Sequence, residues 1–378
     1  MSVLLSLFYF FYFALVAVYI VFLPKILSTL GYSAMEIGIL FSTAPLVRFL
    51  LPFIFRKFGG PGEFSYSISL LSIFVATVLF LPTIDDFVYF LSVNILYGAS
   101  MGVVLPYVDT VALGKIGKES YGRVRLWGSI GFMLVAVWLS GRVEDPTEAL
   151  YHMVVFSLFV TASGWYIGGL RRSIHRDMTA SASKETAETD RGFSLSKYWA
   201  FWFGTFLLQV SFGGFYNFFT IYETEHGLTL QDTGWLWSFG VLCEIAMLYF
   251  QGPLLRRNLL SLIEFATFIT SIRWILLWLY PGSWGIAMIS QSFHAISFAL
   301  YYTAAISYIY SLYREKRLAQ QFFLGISFGL GGSVGAVVSG FIYDRWPQEL
   351  FLSQALIAML SWSMIMVHSR RKERYADS

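Results

Sequence analysis

Residues 31–38 read GYSAMEIG, and residues 227–234, 196 positions later, read GLTLQDTG. Gly31 and Gly227, Gly38 and Gly234, and the charged pair Arg48 and Glu244 all obey that one offset. Each segment precedes an apolar run that ends in a basic pair, Arg56-Lys57 or Arg256-Arg257. One coincidence would carry little weight, but three at a single offset beside matching hydropathy indicate two related halves.

Outward from these segments, apolar runs place helices at roughly 4–24, 34–55, 64–82, 86–112, 122–141, 149–169, 198–222, 231–254, 259–280, 283–311, 316–342 and 348–368. The chain has 378 residues, 13% charged and 57% hydrophobic, where a soluble domain carries about 25% charge. Its mean hydropathy of +0.63 agrees that most of its surroundings are lipid. Twelve crossings with short connections use about 300 residues, which leaves no room for a soluble catalytic domain. The opening MSVLLSLFYFFYFALVAVYIVFLP is too long for a signal-peptide core and reads as the first span. The single cysteine, Cys243, excludes an intrachain disulfide and a thiolate metal cluster.

Alternating the connections from side to side puts 21 of the 26 Lys and Arg on one face. Only Lys25, Arg142 and Arg345 fall on the other, while Arg48 and Arg273 lie mid-helix. The positive-inside rule then makes both termini cytoplasmic, in a multi-pass protein of the inner membrane. The net charge of +3 follows from cationic loops facing anionic headgroups and gives no reason to invoke nucleic acid. Residues 171–197, rich in Ser, Thr, Ala and charge, read as a cytoplasmic linker between six-helix bundles at 1–170 and 198–378, the latter ending in a short cytoplasmic tail. The expected fold is an all-α integral membrane protein of twelve helices in two pseudo-symmetric bundles, acting as a monomer.

Ionisable side chains inside spans cost about 2.5–3.5 kcal/mol each on insertion scales, so they normally face a cavity or a partner. Here they are Arg48, Asp109, Arg125, Glu244, Glu264, Arg273 and His294. Asp109 and Arg125 lie at matched depths on the two arms of a hairpin, so a salt bridge between them is feasible. Phe132, seven residues after Arg125, shares its helix face, a combination suited to holding a polar or anionic group beside a ring. Gln291, His294, Phe298, Tyr301 and Tyr302 recur at near-helical spacing, as do Gln209, Gly213, Tyr216 and Asn217. These faces line a cavity or serve as interhelical glue. Glu264 lies within two turns of Arg256 and Arg257, which favours a salt bridge with them. If Asp109 pairs with Arg125 and Glu244 with Arg273, Arg48 is the unpaired cation and suits an aromatic carboxylate. No phosphate loop, His/Cys metal spacing or Gly-x-Ser-x-Gly elbow occurs, so no cofactor is expected.

The segment LPYVDTVALGKIGKESYGRVRLWGSIGF (105–132), with LVRFL, SIRW and SQSFHAISFALYY, resembles the bacterial phenylpropionate permease branch of the major facilitator superfamily. That branch is related to oligosaccharide:proton symporters such as lactose permease. The resemblance implies a proton-coupled importer of a small organic solute with a central cavity. It implies a substrate-binding carboxylate and arginine at Asp109 and Arg125, a stacking ring at Phe132, and a coupling arginine and histidine at Arg273 and His294. Two acids of lactose permease are replaced here by Ser297 and Val241, which leaves Glu244 as the inferred proton carrier. The loop FRKFGGPGE keeps only basic and glycine parts of the usual facilitator signature, and Gly340/Asp344 in SGFIYDRW is a fragment of it. A sugar or nucleoside symporter of the same fold is the nearest alternative. A non-transporting membrane receptor or assembly factor is the alternative of a different class.

Overall fold

The computed structural model describes residues 1–56, 62–143, 145–178 and 195–376. Lys57 and most of the FRKFGGPGE loop, and the linker from 179 to 194 with Lys184 and Arg191, lie outside the described residues. Among the described residues the fold is entirely helical. Eleven helices are long and apolar enough to cross a bilayer: α1 Ser2–Thr29, α2 Ala34–Leu51, α3 Glu63–Thr83, α4 Phe87–Gly117, α5 Ser120–Ser140, α6 Ala149–Gly168, α8 Leu230–Phe250, α9 Leu259–Leu279, α10 Trp284–Leu312, α11 Leu318–Arg345 and α12 Pro347–Arg371. The twelfth, α7 at 199–225, is broken at Phe212 into Trp199–Ser211 and Gly213–Glu225.

The repeat is visible in how the chain turns. After α1, the Gly31 and Tyr32 N–H groups donate to the Ser28 and Leu27 carbonyls. After α7, the Gly227 and Leu228 N–H groups donate to those of Thr224 and Glu223, each atom pair displaced by 196. Both glycines are left-handed, with φ of 89° and 101°, so each turn satisfies helix-end carbonyls through a conformation other residues adopt at a cost. The next helices begin with the same reciprocal cap. Ser33 Oγ accepts from Glu36 N at 3.2 Å while Glu36 Oε2 accepts from Ser33 N at 2.8 Å. Thr229 Oγ1 accepts from Asp232 N at 3.0 Å while Asp232 Oδ2 accepts from Thr229 N at 2.9 Å. Nothing lies within 4 Å of a Cβ built at Gly31 or Gly227, so Gly31→Ala and Gly227→Ala should each cost ~1 kcal/mol from backbone strain alone. Equal drops in thermal stability of the two single variants check that equivalence.

Several helices depart from the expected runs. α4 and α5 are joined with almost no loop, the path turning at Gly117, whose φ of 70° and ψ of 168° is non-helical. α7 breaks where Gly213 meets α11: an added Cβ there would sit 2.1 Å from the Gly335 carbonyl oxygen. The helix of α6 continues to Met178, into the stretch expected as linker. Wide π turns at Val18–Phe22, Ala295–Leu300 and Leu324–Gly331 re-phase α1, α10 and α11.

The helices group into two compact units, Met1–Ile26 with Leu50–Thr189, and Leu27–Phe49 with Asp190–Ser378. In the first, α1 lies against α5 because Gly128 and Gly131 present no side chain; a Cβ at Gly131 would meet the Phe10 carbonyl oxygen at 2.2 Å. Tyr66 of α3 ties to α6 by donating to the Gly164 carbonyl at 2.8 Å, and Thr77 meets Ser157 at 2.6 Å. In the second, the start of α2 crosses α11 through Gly38 and Gly340, and Ser333 donates to the Ser42 carbonyl at 2.9 Å. The glycine of SGFIYDRW therefore serves a close helix crossing.

Candidate functional site

The first unit gathers two half-buried charges, Asp109 and Arg125, beside α1. Asp109 of α4 accepts a 2.6 Å hydrogen bond from the Tyr9 hydroxyl. The Arg125 guanidinium of α5 lies 4.1 Å from the Phe13 ring centroid and 5.3 Å from that of Tyr9. Asp109 and Arg125 form no ion pair within 4.0 Å, so the direct bridge expected between them is replaced by a layer of aromatic side chains. Tyr9 and Phe13 are four residues apart and share one face of α1. Gly128 makes the approach possible, because a Cβ there would stand 2.7 Å from the Phe13 ring and 3.0 Å from Arg125 Nη1. The ring under the guanidinium is thus Phe13, while Phe132 is buried further along α5.

In the second unit Arg273 of α9 is fully buried. It donates to Gln291 Oε1 at 2.8 Å and to Ser297 Oγ at 3.2 Å, and lies 3.0 Å from His294 Nδ1, all on α10. Phe215 and Trp274 face its guanidinium at 4.3 and 4.5 Å. Arginine has only donors, so Nδ1 of His294 accepts and the ring proton resides on Nε2. That nitrogen is 3.7 Å from Glu244 Oε2 on α8. The expected Glu244–Arg273 pair is therefore bridged by His294 rather than made directly. Phe298 stacks on the imidazole, with centroids 5.1 Å apart and planes 6° apart, and fixes its tilt.

The other expected residues separate by environment. Tyr216 stacks on Phe212 at 5.7 Å, on the side of α7 that faces Trp237. Gln209 is buried beside Gly331 of α11, and Asn217 donates to the Gly213 carbonyl of its own helix at 2.8 Å. Tyr301 is fully buried with its hydroxyl unpartnered among the described residues, and Tyr302 packs 5.8 Å from Phe328. Arg48 is exposed, and its Nε donates to the Ala44 carbonyl at 3.3 Å. Glu264 makes no ion pair within 4.0 Å among the described residues, so its expected bridge to Arg256 or Arg257 is absent. Those arginines lie on and just after a short turn at Leu254–Arg256, outside the helix that carries Glu264.

Residues 2–353 match the MFS_1 like family. The chain belongs to that family. This MFS_1 like protein is thus a multi-pass membrane transporter of the permease type. It is 24% identical over 366 residues to a probable 3-phenylpropionic acid transporter of Escherichia coli (strain K12), covering 94% of each chain. It is 24% identical over 293 residues to a maltose permease of Geobacillus stearothermophilus, covering 76% of this chain and 73% of that one. Its fold matches the crystal structure of the nucleoside transporter NupG with a TM-score of 0.83 at 16% identity, covering 97% and 98% of the two chains.

Two residues of this MFS_1 like transporter escaped the sequence reading. Tyr9 and Phe13 sit in the aromatic run FYFFYF at 8–13, and their four-residue spacing was the available signal. If Arg125 binds substrate from its place against the Phe13 ring, Phe13→Ala should weaken substrate affinity roughly tenfold, as expected for a desolvated cation–ring contact. Phe132→Ala should change it less, and affinity measured by isothermal titration on the two variants checks the order.

Proposed function

We propose that the chain is a proton-coupled importer of a small organic solute by alternating access, with an aromatic carboxylate as the preferred class. The observation that carries this reading is the series Arg273, His294, Glu244, the first two buried and the carboxylate half-buried, with successive separations of 3.0 and 3.7 Å. In this reading Glu244 takes the proton. Deprotonated, it faces the Nε2–H of His294; protonated, it no longer attracts that group, and the change is transmitted through Nδ1 to a guanidinium otherwise held by neutral groups and rings. Gln291 and Ser297 keep the arginine in place through both states.

The substrate class rests on the unpaired cations and on the likeness to a phenylpropionic acid transporter. Arg125, set against Phe13, and the exposed Arg48 offer donors to a carboxylate. We assign Asp109, Tyr216, Tyr301, Tyr302, Gln209, Asn217, Gln291 and Phe132 to substrate contact or its support, with the protein a monomer of the inner membrane and both termini cytoplasmic. A neutral polyhydroxyl solute is the second reading, favoured by the acceptor oxygens of Asp109 and by the likeness to a maltose permease and a nucleoside transporter.

Charge balance separates the two. One proton moving with a monoanion transfers no net charge, so uptake follows the pH gradient and ignores membrane potential. One proton moving with a neutral sugar or nucleoside carries a full charge, worth about 2.3 kcal/mol per 100 mV, or roughly fifty-fold in accumulation. Proteoliposomes with a trapped pH-sensitive dye should acidify on addition of 3-phenylpropionate faster than protein-free vesicles, and an imposed potassium diffusion potential should leave that rate unchanged. Potential-driven acidification by disaccharide or nucleoside alone would transfer the assignment to the second reading. No solute-dependent proton flux across the panel would remove the symport proposal.

A further inference from the structure

Glu264 stands apart from the transport residues. Ser261, Glu264, Phe265 and Phe268 form one stripe of α9 at helical spacing, and Trp362 of α12 closes the opposite wall of a groove of ≈ 350 Å³. The Phe268 and Trp362 rings are 5.2 Å apart. Phe265 and Phe268 are 48% and 38% exposed, apolar rings at the surface of a bilayer-crossing helix that suit contact with lipid. Among the described residues, a carboxylate without a basic partner is therefore set among aromatic faces on the outside of the unit. Carboxylate plus ring faces is the donor-seeking, cation-attracting set that takes an organic ammonium.

We propose that this groove binds the ammonium headgroup of an aminophospholipid. Depth and charge both fit. Glu264 lies five residues into α9, ~7.5 Å of rise from its start, so the carboxylate reaches headgroup level while Phe265 and Phe268 meet the chains below. Arg256 and Arg257 precede α9, and Arg370 and Arg371 close the span of α12, giving the phosphate of the same zwitterion cationic flanks.

The test is retention of lipid by the full-length protein, read by native mass spectrometry after release from bilayers of equal phosphatidylethanolamine and phosphatidylglycerol. The expected result is preferential retention of phosphatidylethanolamine, with Glu264→Gln lowering that preference about fivefold and Glu264→Asp largely keeping it. A comparison needing no variant uses N-acylated phosphatidylethanolamine, which lacks the cation and should be held no better than phosphatidylglycerol. Equal retention of both lipids by the unaltered protein, an undiminished preference in Glu264→Gln, or full retention of the N-acylated lipid would each overturn the proposal. The readout is binding alone, so its failure leaves the symport reading untouched, and failure of symport leaves this site standing.

Discussion

Replacing Glu244 with Gln should abolish gradient-driven accumulation of substrate while leaving exchange of internal for external substrate near its original rate. The amide keeps an oxygen at the position that faces His294 Nε2 across 3.7 Å, so α8 and α10 retain their contact and the protein should fold. What it cannot do is take up and release a proton. A one-unit pH gradient is worth about tenfold in accumulation ratio, and this factor should vanish in the variant. Counterflow needs only binding and reorientation of the loaded protein, so it should persist. Radiolabelled uptake with and without a gradient, in the same vesicle preparation, separates the two activities. Undiminished gradient-driven accumulation would remove Glu244 as the proton carrier.

The largest effect on the fold is expected from Gly213→Val. Its Cβ would lie 2.1 Å from the Gly335 carbonyl oxygen and 2.6 Å from Ser339 Oγ. The nearest of these is backbone and cannot turn aside, so α7 and α11 must separate where they cross. Overpacking of this severity costs about 3 kcal/mol or more, a large part of the net stability of an ordinary domain. The variant should be lost as a monodisperse species in detergent size-exclusion chromatography. Gly285→Ala is the control: nothing lies within 4 Å of its added Cβ, and alanine favours the first turn of α10.

The spans were legible because twenty apolar residues in succession have few alternatives in water. The two halves were legible because a left-handed turn demands glycine, so Gly31 and Gly227 stayed recognisable while their neighbours diverged. The charged pairs were harder. Asp109 with Arg125, and Glu244 with Arg273, are natural partners by sign, yet in each case other groups intervene: Tyr9 and Phe13 in the first, His294 in the second. Counting charges identifies what must be compensated but not the group that does it, because hydroxyls, ring faces and imidazoles also stabilise a buried ion. The α1 contribution was hidden in a run where every position is aromatic, and only the bare backbone of Gly128 and Gly131 selects the face that meets α5. The break in α7 was hidden because Phe212 itself has ordinary right-handed dihedrals, φ −82° and ψ −8°. Its cause lies in the approach of Gly335, 122 residues downstream.

The corners after α1 and α7 close with the same bonds, yet the helices that follow them carry an arginine at 48 and a glutamate at 244, at equivalent loci. An ancestral half-length gene, copied once and joined head to tail, accounts for both facts. After the copying the joinery stayed alike in each half, while the equivalent position in the following helix came to hold an arginine in one and a glutamate in the other.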